Sequence, residues 1–377
     1  MTLAKKSTDV VIMGGGPAGL AAAIALRQKG IDCLVVEALT PPIDKGCGEG
    51  LMPDALAALR ELGIQITEDD GHPFRGIRFV NAAHQVNAYF PNGTGIGVRR
   101  TRLFQRLIER AYEVGVQIIW SSRAQLLDRQ TITINDVKVS FRWLIGADGQ
   151  SSSIRKWAGL NDVRTEMLRF GFRRHYNVAP WSEYVEVHWG PTGQIYVTPV
   201  ASDSLCVVFI TRHPKVAREN FLDSFPAIAR KLENSAVMSQ QRGGISATRK
   251  LRRVADHSVA LIGDASGSAD AITGEGLAVS FRQAIALANA IEKGDLKSYR
   301  KAHKEIGKLP HTMGKLMLAM DRRPGMERCA MQALSSNPAF FNQLLSVHVG
   351  SESLFRFALQ EGPLLGWGLL QASFNQR

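Results

Sequence analysis

Cysteine is scarce in this chain. The 377 residues carry four, Cys33, Cys47, Cys206 and Cys329, with no paired spacing. That excludes a disulfide framework and a C-x-x-C zinc site, and it fits a reducing compartment. No apolar run approaches the ~20 residues of a membrane-spanning helix. The residues before the first strand hold Lys5 and Lys6, and the apolar strand after them is too short for a secretory leader, so the expected location is cytoplasmic. Acidic residues are in deficit: 34 Asp and Glu stand against 46 Lys and Arg, a net charge of +12. Such a field attracts anionic ligands. The cations concentrate at Arg249–Arg253 and Lys297–Lys308. No nucleic-acid motif accompanies them, which argues against nucleic acid and leaves peripheral contact with an acidic membrane surface open. No Ser-His-Asp arrangement, metal-ligand spacing, internal repeat or low-complexity segment stands out.

What is present is a globular composition, 45% hydrophobic and 21% charged, in a chain longer than one typical domain. It is organised around residues 9–37. Asp9–Met13 reads as a buried strand, Gly14-Gly15-Gly16-Pro17-Ala18-Gly19 as a tight turn, Leu20–Lys29 as a helix, and Asp32–Val36 as a second strand ending at Glu37. In such a unit Gly14 permits the turn, Gly16 admits a pyrophosphate and Gly19 lets helix and strand pack closely. The helix start offers N–H groups to phosphate, and Glu37 is placed for a ribose diol.

Two further strand ends share this character. Trp143–Gly146 leads into Ala147-Asp148-Gly149, and Ser258–Ile262 leads into Gly263-Asp264. Ligands of open parallel sheets bind beyond such ends, and three of them call for one extended ligand, a dinucleotide. Further helices are predicted from Pro53 to Leu62, from a Thr101 cap to Val114, over Pro214–Leu232 and from Gly276 to Glu292. Strands are predicted at 76–81 paired with 85–90, at 116–120, as a hairpin at 131–141, and at 170–172, 184–189, 195–198 and 205–210. From about Leu296 the chain reads as helical, with breaks at Pro310, Pro324, Pro338 and Pro363.

Taken together, the glycine turn, the run Gly146-Ala147-Asp148-Gly149-Gln150-Ser151-Ser152-Ser153-Ile154-Arg155, and Gly263-Asp264-Ala265 followed by Gly274-Glu275-Gly276 resemble the three motifs of the FAD-dependent enzymes built like p-hydroxybenzoate hydroxylase. That superfamily includes the class A flavoprotein monooxygenases and the geranylgeranyl reductases. The resemblance covers about residues 9–291. It implies an α/β, Rossmann-like (glutathione reductase-type) FAD-binding fold from residues 1–80, 99–166 and 256–295. It also implies an inserted antiparallel β-sheet substrate domain from 81–98 and 167–255, and a helical C-terminal region over 296–377. The implied FAD contacts are Gly14, Gly16, Pro17, Ala18, Gly19, Glu37, Arg100, Asp148, Asp264, Gly274, Gly276 and Leu277. Asp148 and Ser152 are equally readable as caps of the next helix.

The chain departs from the family where Ala271 replaces a usual proline. Thr273-Gly274-Glu275-Gly276 and the loop Cys47-Gly48-Glu49-Gly50 look more like the reductase branch, which makes Cys47 and Glu49 the catalytic candidates. The tryptophan motif and active-site lysine of the flavin-dependent halogenases are not evident. The implied reaction is hydroxylation of a hydrophobic aromatic or polyketide-like molecule through the flavin C4a-hydroperoxide, with NADPH or NADH as transient reductant. Saturation of isoprenoid-like double bonds is the alternative, and a flavin-bound scaffold without turnover a minor one. His175, Tyr176, His188, Trp189 and Tyr196 are candidates to face the substrate.

Overall fold

The computed structural model describes residues 6–213, 221–353 and 356–357, with 164–167 as strand backbone alone. The helices are α1 (Pro17–Gln28), α2 (Pro53–Glu61), α3 (Arg100–Glu113), α4 (Ser153–Trp157), α5 (Pro226–Leu232), α6 (Gly276–Glu292), α7 (Leu296–Arg322), α8 (Pro324–Ser336) and α9 (Pro338–His348). Pro17, Pro53, Pro226, Pro324 and Pro338 each open a helix, where a missing N–H costs nothing.

A central sheet runs in the spatial order Ala255–Asp256, Val259–Leu261, Val137–Gly146, Ser7–Met13, Cys33–Val36 and Gln117–Ile119. All neighbours are parallel except the first pair. The strand centres, Val10–Ile12, Leu34–Val36, Leu144–Ile145 and Val259–Leu261, are apolar and buried because both faces are covered there. On one face α1 and α6 pack together through small side chains, Ala21, Ala22, Ala23 and Ala25 on α1 and Ala278, Ala284 and Ala288 on α6. The predicted hairpin and the strand at 143–146 are joined, since Val137–Gly146 is one continuous strand.

A second sheet runs Ala236–Val237, Val163–Asn177, Ser204–Thr211, Gly193–Ala201, Tyr184–Gly190, Gly76–Val80 and Gln85–Tyr89. It is antiparallel except where Gly76–Val80 runs parallel to Tyr184–Gly190. A strand at Arg242–Leu251, unread in the sequence, pairs along most of Val163–Asn177. Helices α7, α8 and α9 cover the sheet face that carries Phe79, Val185, Val187 and Val208, and close an apolar core with them.

Three expectations are corrected. Thr101 is not a cap: α3 starts at Arg100, and its first amide donates to Glu49 Oε1 at 2.9 Å, a cap supplied from a distant loop. Pro310 does not break the chain but sits buried inside α7, where its helix penalty of ~3 kcal/mol is offset by packing of Met313, Leu318 and Met320. The helix predicted from Pro214 falls partly outside the described residues; what is described is a 3-10 turn at Phe221–Ser224 and then α5. Pro363 also lies outside them.

Candidate functional site

One cavity of about 1100 Å³ joins the ends of the central sheet to the face of the second sheet. At the first end, Gly14 (φ 110°) turns the chain, and a Cβ there would lie 2.5 Å from Ala147 O. A Cβ on Gly19 would lie 1.9 Å from Gly14 O, so α1 starts hard against the strand end. A Cβ on Gly16 meets nothing within 4 Å and would project into open cavity. Gly16 caps α1 without any side-chain hydrogen bond, which leaves that helix start facing the cavity.

Glu37 lines the same end. Its carboxylate accepts from Gly15 N at 2.7 Å and Leu39 N at 2.9 Å, which fixes its orientation beside the turn. The Asp148 carboxylate is spent on α4, accepting from Ser153 N at 2.7 Å and Ile154 N at 3.2 Å, and Ser152 Oγ accepts from Arg155 N at 2.9 Å. Both side chains cap the helix, and Asp148 also forms cavity wall.

The third end approaches so closely that a Cβ on Gly263 would lie 2.8 Å from the Ala18 Cβ. Asp264 is open to the cavity yet enclosed by protein on its other sides. Burial raises its pKa, opposed by Lys45, Arg100, Arg249 and a hydrogen bond from Gln150. The α6 start at Gly276 has no side-chain cap, a Cβ on Gly276 meets open space, and Gly274 and Leu277 line the cavity beside it. The buried Nε of Arg100, also on the wall, has no hydrogen-bond partner. Two uncapped helix starts, two open glycine positions and an unspent guanidinium N–H suit an elongated anionic ligand such as FAD.

The loop at residues 46–50 also lines the cavity. Cys47 Sγ accepts from Glu49 N at 3.4 Å. Glu49 is 2% exposed and holds a positive φ of 61°. Besides capping α3, its carboxylate lies 2.6 Å from His175 Nε2 and 3.7 Å from Arg173 Nη1. Arg173 in turn pairs with Asp44 at 2.7 Å, and His175 Nδ1 contacts Ser239 Oγ at 2.8 Å. Glu49, His175 and Cys206 place ligand-type atoms within 4.8 Å of one another. The donors are already committed, however. Arg173 supplies the positive charge, and burial raises the Cys206 pKa, disfavouring the thiolate a metal needs.

The apolar end of the cavity is walled by Phe79, Val185, Val187, Tyr196, Val208 and Ile210 from the second sheet. Met313, Met317, Met320, Leu334, Phe341 and Leu345 come from α7–α9. Of the expected chamber residues, Tyr196 is on this wall, its hydroxyl donating to Ile272 O at 3.2 Å. The others are corrected: Tyr176 packs on the opposite sheet face, Trp189 packs on Phe79, His188 bonds Glu186 at 2.9 Å, and His175 is sealed against Glu49. Missed in the sequence were Arg169 and Arg173. Arg169 is fully buried and pairs with Asp270 at 2.9 Å. The period-two run Arg169, Gly171, Arg173, His175 is the signal that would have found them, because alternation puts all of it on one strand face.

Beneath the α6 start lies a buried titratable group. Glu275 is 1% exposed and neither carboxylate oxygen has a hydrogen-bond partner. Burial, then Asp54, pushes its pKa up to about 8. Arg282 is committed to Asp54 at 2.8 Å. His348, on the cavity wall, lies 3.7 Å from Glu275, and burial lowers its pKa, so the two meet as a neutral pair near neutral pH.

Among known proteins, the menaquinone reductase of Mycobacterium tuberculosis (strain ATCC 25618 / H37Rv) is 27% identical over 77% of this chain and 78% of its own length. The digeranylgeranylglycerophospholipid reductase of Methanosarcina acetivorans is 25% identical over 71% of each. A flavoprotein/dehydrogenase from Cytophaga hutchinsonii superposes with a TM-score of 0.81 over 98% of this chain and 100% of that one, at 17% identity, which shows the shared fold. The model of the FAD binding domain family matches residues 7–294, and the chain belongs to that family as an FAD-dependent oxidoreductase.

Proposed function

We propose that the enzyme hydroxylates an elongated hydrophobic molecule, aromatic or polyketide-like, with dioxygen as oxidant and NADPH or NADH as electron donor. The observation that carries this reading is the continuity of the cavity: the cleft at the strand ends opens into an apolar chamber with no wall between them. Bound FAD supplies the redox chemistry. The Gly16 and Ala18 amides at the α1 start would hold its pyrophosphate, with Gly14 turning the chain, Pro17 opening the helix and Gly19 setting how closely α1 approaches. Glu37 would take the adenosine ribose and Asp264 a ribityl hydroxyl. Arg100 would donate its free N–H, and Asp148 would contribute through its backbone, its carboxylate being engaged. Gly274, Gly276 and Leu277 would place the α6 dipole at the pyrimidine edge, favouring negative charge there. The Met- and Phe-lined chamber would orient the substrate and exclude water.

A second reading, saturation of a carbon–carbon double bond, is favoured by one specific feature. Double-bond reduction needs a proton donor at the substrate. Cys47 puts a thiol on the cavity wall whose sulfur accepts from Glu49 N, leaving its own S–H free to donate. The names of the mycobacterial and archaeal relatives point the same way. Turnover under labelled dioxygen separates the readings. Incorporation of one label into product supports hydroxylation. Product formed without oxygen, carrying two added hydrogens, replaces it with reduction.

A further inference from the structure

Helix α7 carries a stripe of unpaired cations. Lys297, Arg300, Lys301, Lys304, Lys308 and Lys315 are all exposed. At 100° per residue they fall within an arc of about 100° and extend over ~27 Å of helix. The opposite face, with Tyr299, Pro310, Met313 and Met320, is buried. Among the described residues none of these cations makes an ion pair. Helix α3 of the same protein, by contrast, pairs Arg106 with Glu109 and Arg110 with Glu113. On α7 Glu305, four residues after Lys301, is the one acid among these cations, and the pairs 297 with 301, 300 with 304 and 304 with 308 are like-charged. Such pairs destabilise a helix by several tenths of a kcal/mol each, so the stripe weakens the free protein.

The same helix borders the substrate chamber. Leu316, next to Lys315, is 42% exposed and at the same time lines the cavity, so the apolar chamber reaches the surface at the flank of the stripe. Among the described residues no helix is long and apolar enough to cross a membrane. We infer that α7 docks the enzyme flat on an anionic lipid surface, its cations on the headgroups, so that an apolar substrate passes from the bilayer to the chamber beside Leu316. A polyanion such as RNA would satisfy the charge but gives no account of the apolar opening beside it.

The test uses the full-length FAD-loaded enzyme and vesicles of phosphatidylcholine alone or with about 30 mol % phosphatidylglycerol, a charge density at which each basic residue contributes measurably. The wild type is expected to sediment with the anionic vesicles, not the neutral ones, and to release when salt is raised to ~0.5 M. The triple variant Lys301→Glu, Lys304→Glu, Lys308→Glu is expected to bind the anionic vesicles at least tenfold more weakly, with a melting temperature no lower than wild type and unchanged turnover of detergent-dispersed substrate. Equal binding to both vesicle types overturns the inference, as does full binding by the variant. So does a wild type that ignores vesicles and binds an RNA duplex. Because FAD content and turnover in detergent are read separately, a wrong assignment of the reaction leaves this result interpretable.

Discussion

Replacing Glu275 by Gln should make the protein more stable, and only above a certain pH. In the fold the carboxyl has no hydrogen-bond donor, and burial and Asp54 lift its pKa from 4.5 to about 8. In the unfolded chain it ionises near 4.5. Between these two values the folded state therefore holds a proton that the unfolded state has lost, and stability falls as pH rises. At pH 7 the gap is roughly 2.5 pK units, or about 3 kcal/mol at 1.36 kcal/mol per unit; the loss levels off above pH 8, where both states are ionised. Glutamine keeps the shape of the neutral acid and cannot ionise. Its unfolding free energy should match wild type near pH 4 and exceed it by about 3 kcal/mol at pH 7. Urea denaturation from pH 4 to 9, on apoprotein and FAD-loaded protein, gives the difference directly. Taking the difference also removes the slope from His348, whose lowered pKa acts in the opposite direction below pH 6.5. Parallel curves for the two proteins would refute the argument.

Gly16→Ala should leave apoprotein melting unchanged and weaken FAD uptake at least tenfold in a fluorescence titration, because its Cβ enters open cavity. Gly19→Ala should lower the melting temperature itself, its Cβ falling 1.9 Å from Gly14 O. Cys47→Ser should leave FAD affinity intact; a fall in kcat of a hundredfold or more in rapid-quench assays would mark the thiol as chemical, and an unchanged rate would remove it from the mechanism. Asp270→Ala removes the nearer of the two carboxylates beside the fully buried Arg169, leaving Asp321 at 3.8 Å, and should cost about 3 kcal/mol in denaturant unfolding, whereas a loss under 1 kcal/mol would show the pair to be dispensable.

The glycine turn, the three strand ends and α6 were legible because short-range rules govern them. Gly14 must adopt φ 110°, α6 alternates small and large apolar residues, and each starting proline marks a helix. What escaped depends on partners far along the chain. The strand at Arg242–Leu251 has Gly243 and Gly244 near its start and no apolar run, and exists because Val163–Asn177 offers it a ladder. No local signal near Thr101 reveals that Glu49, some fifty residues away, caps that helix. His175 shares a strand face with Gly171 and Arg173, which line the cavity, but no local signal reveals that Glu49 covers it. Pro310 reads as a breaker in any local scheme, and only tertiary burial keeps it within α7.

The meeting of Gly263 with Ala18 has a consequence for biosynthesis. The strand at residues 137–146 lies between the earliest strand and the one at 259–261, and the cleft closes when residue 263 reaches the first helix. A ribosome must therefore have made most of the polypeptide before any nucleotide can be gripped. Prematurely terminated products will emerge colourless.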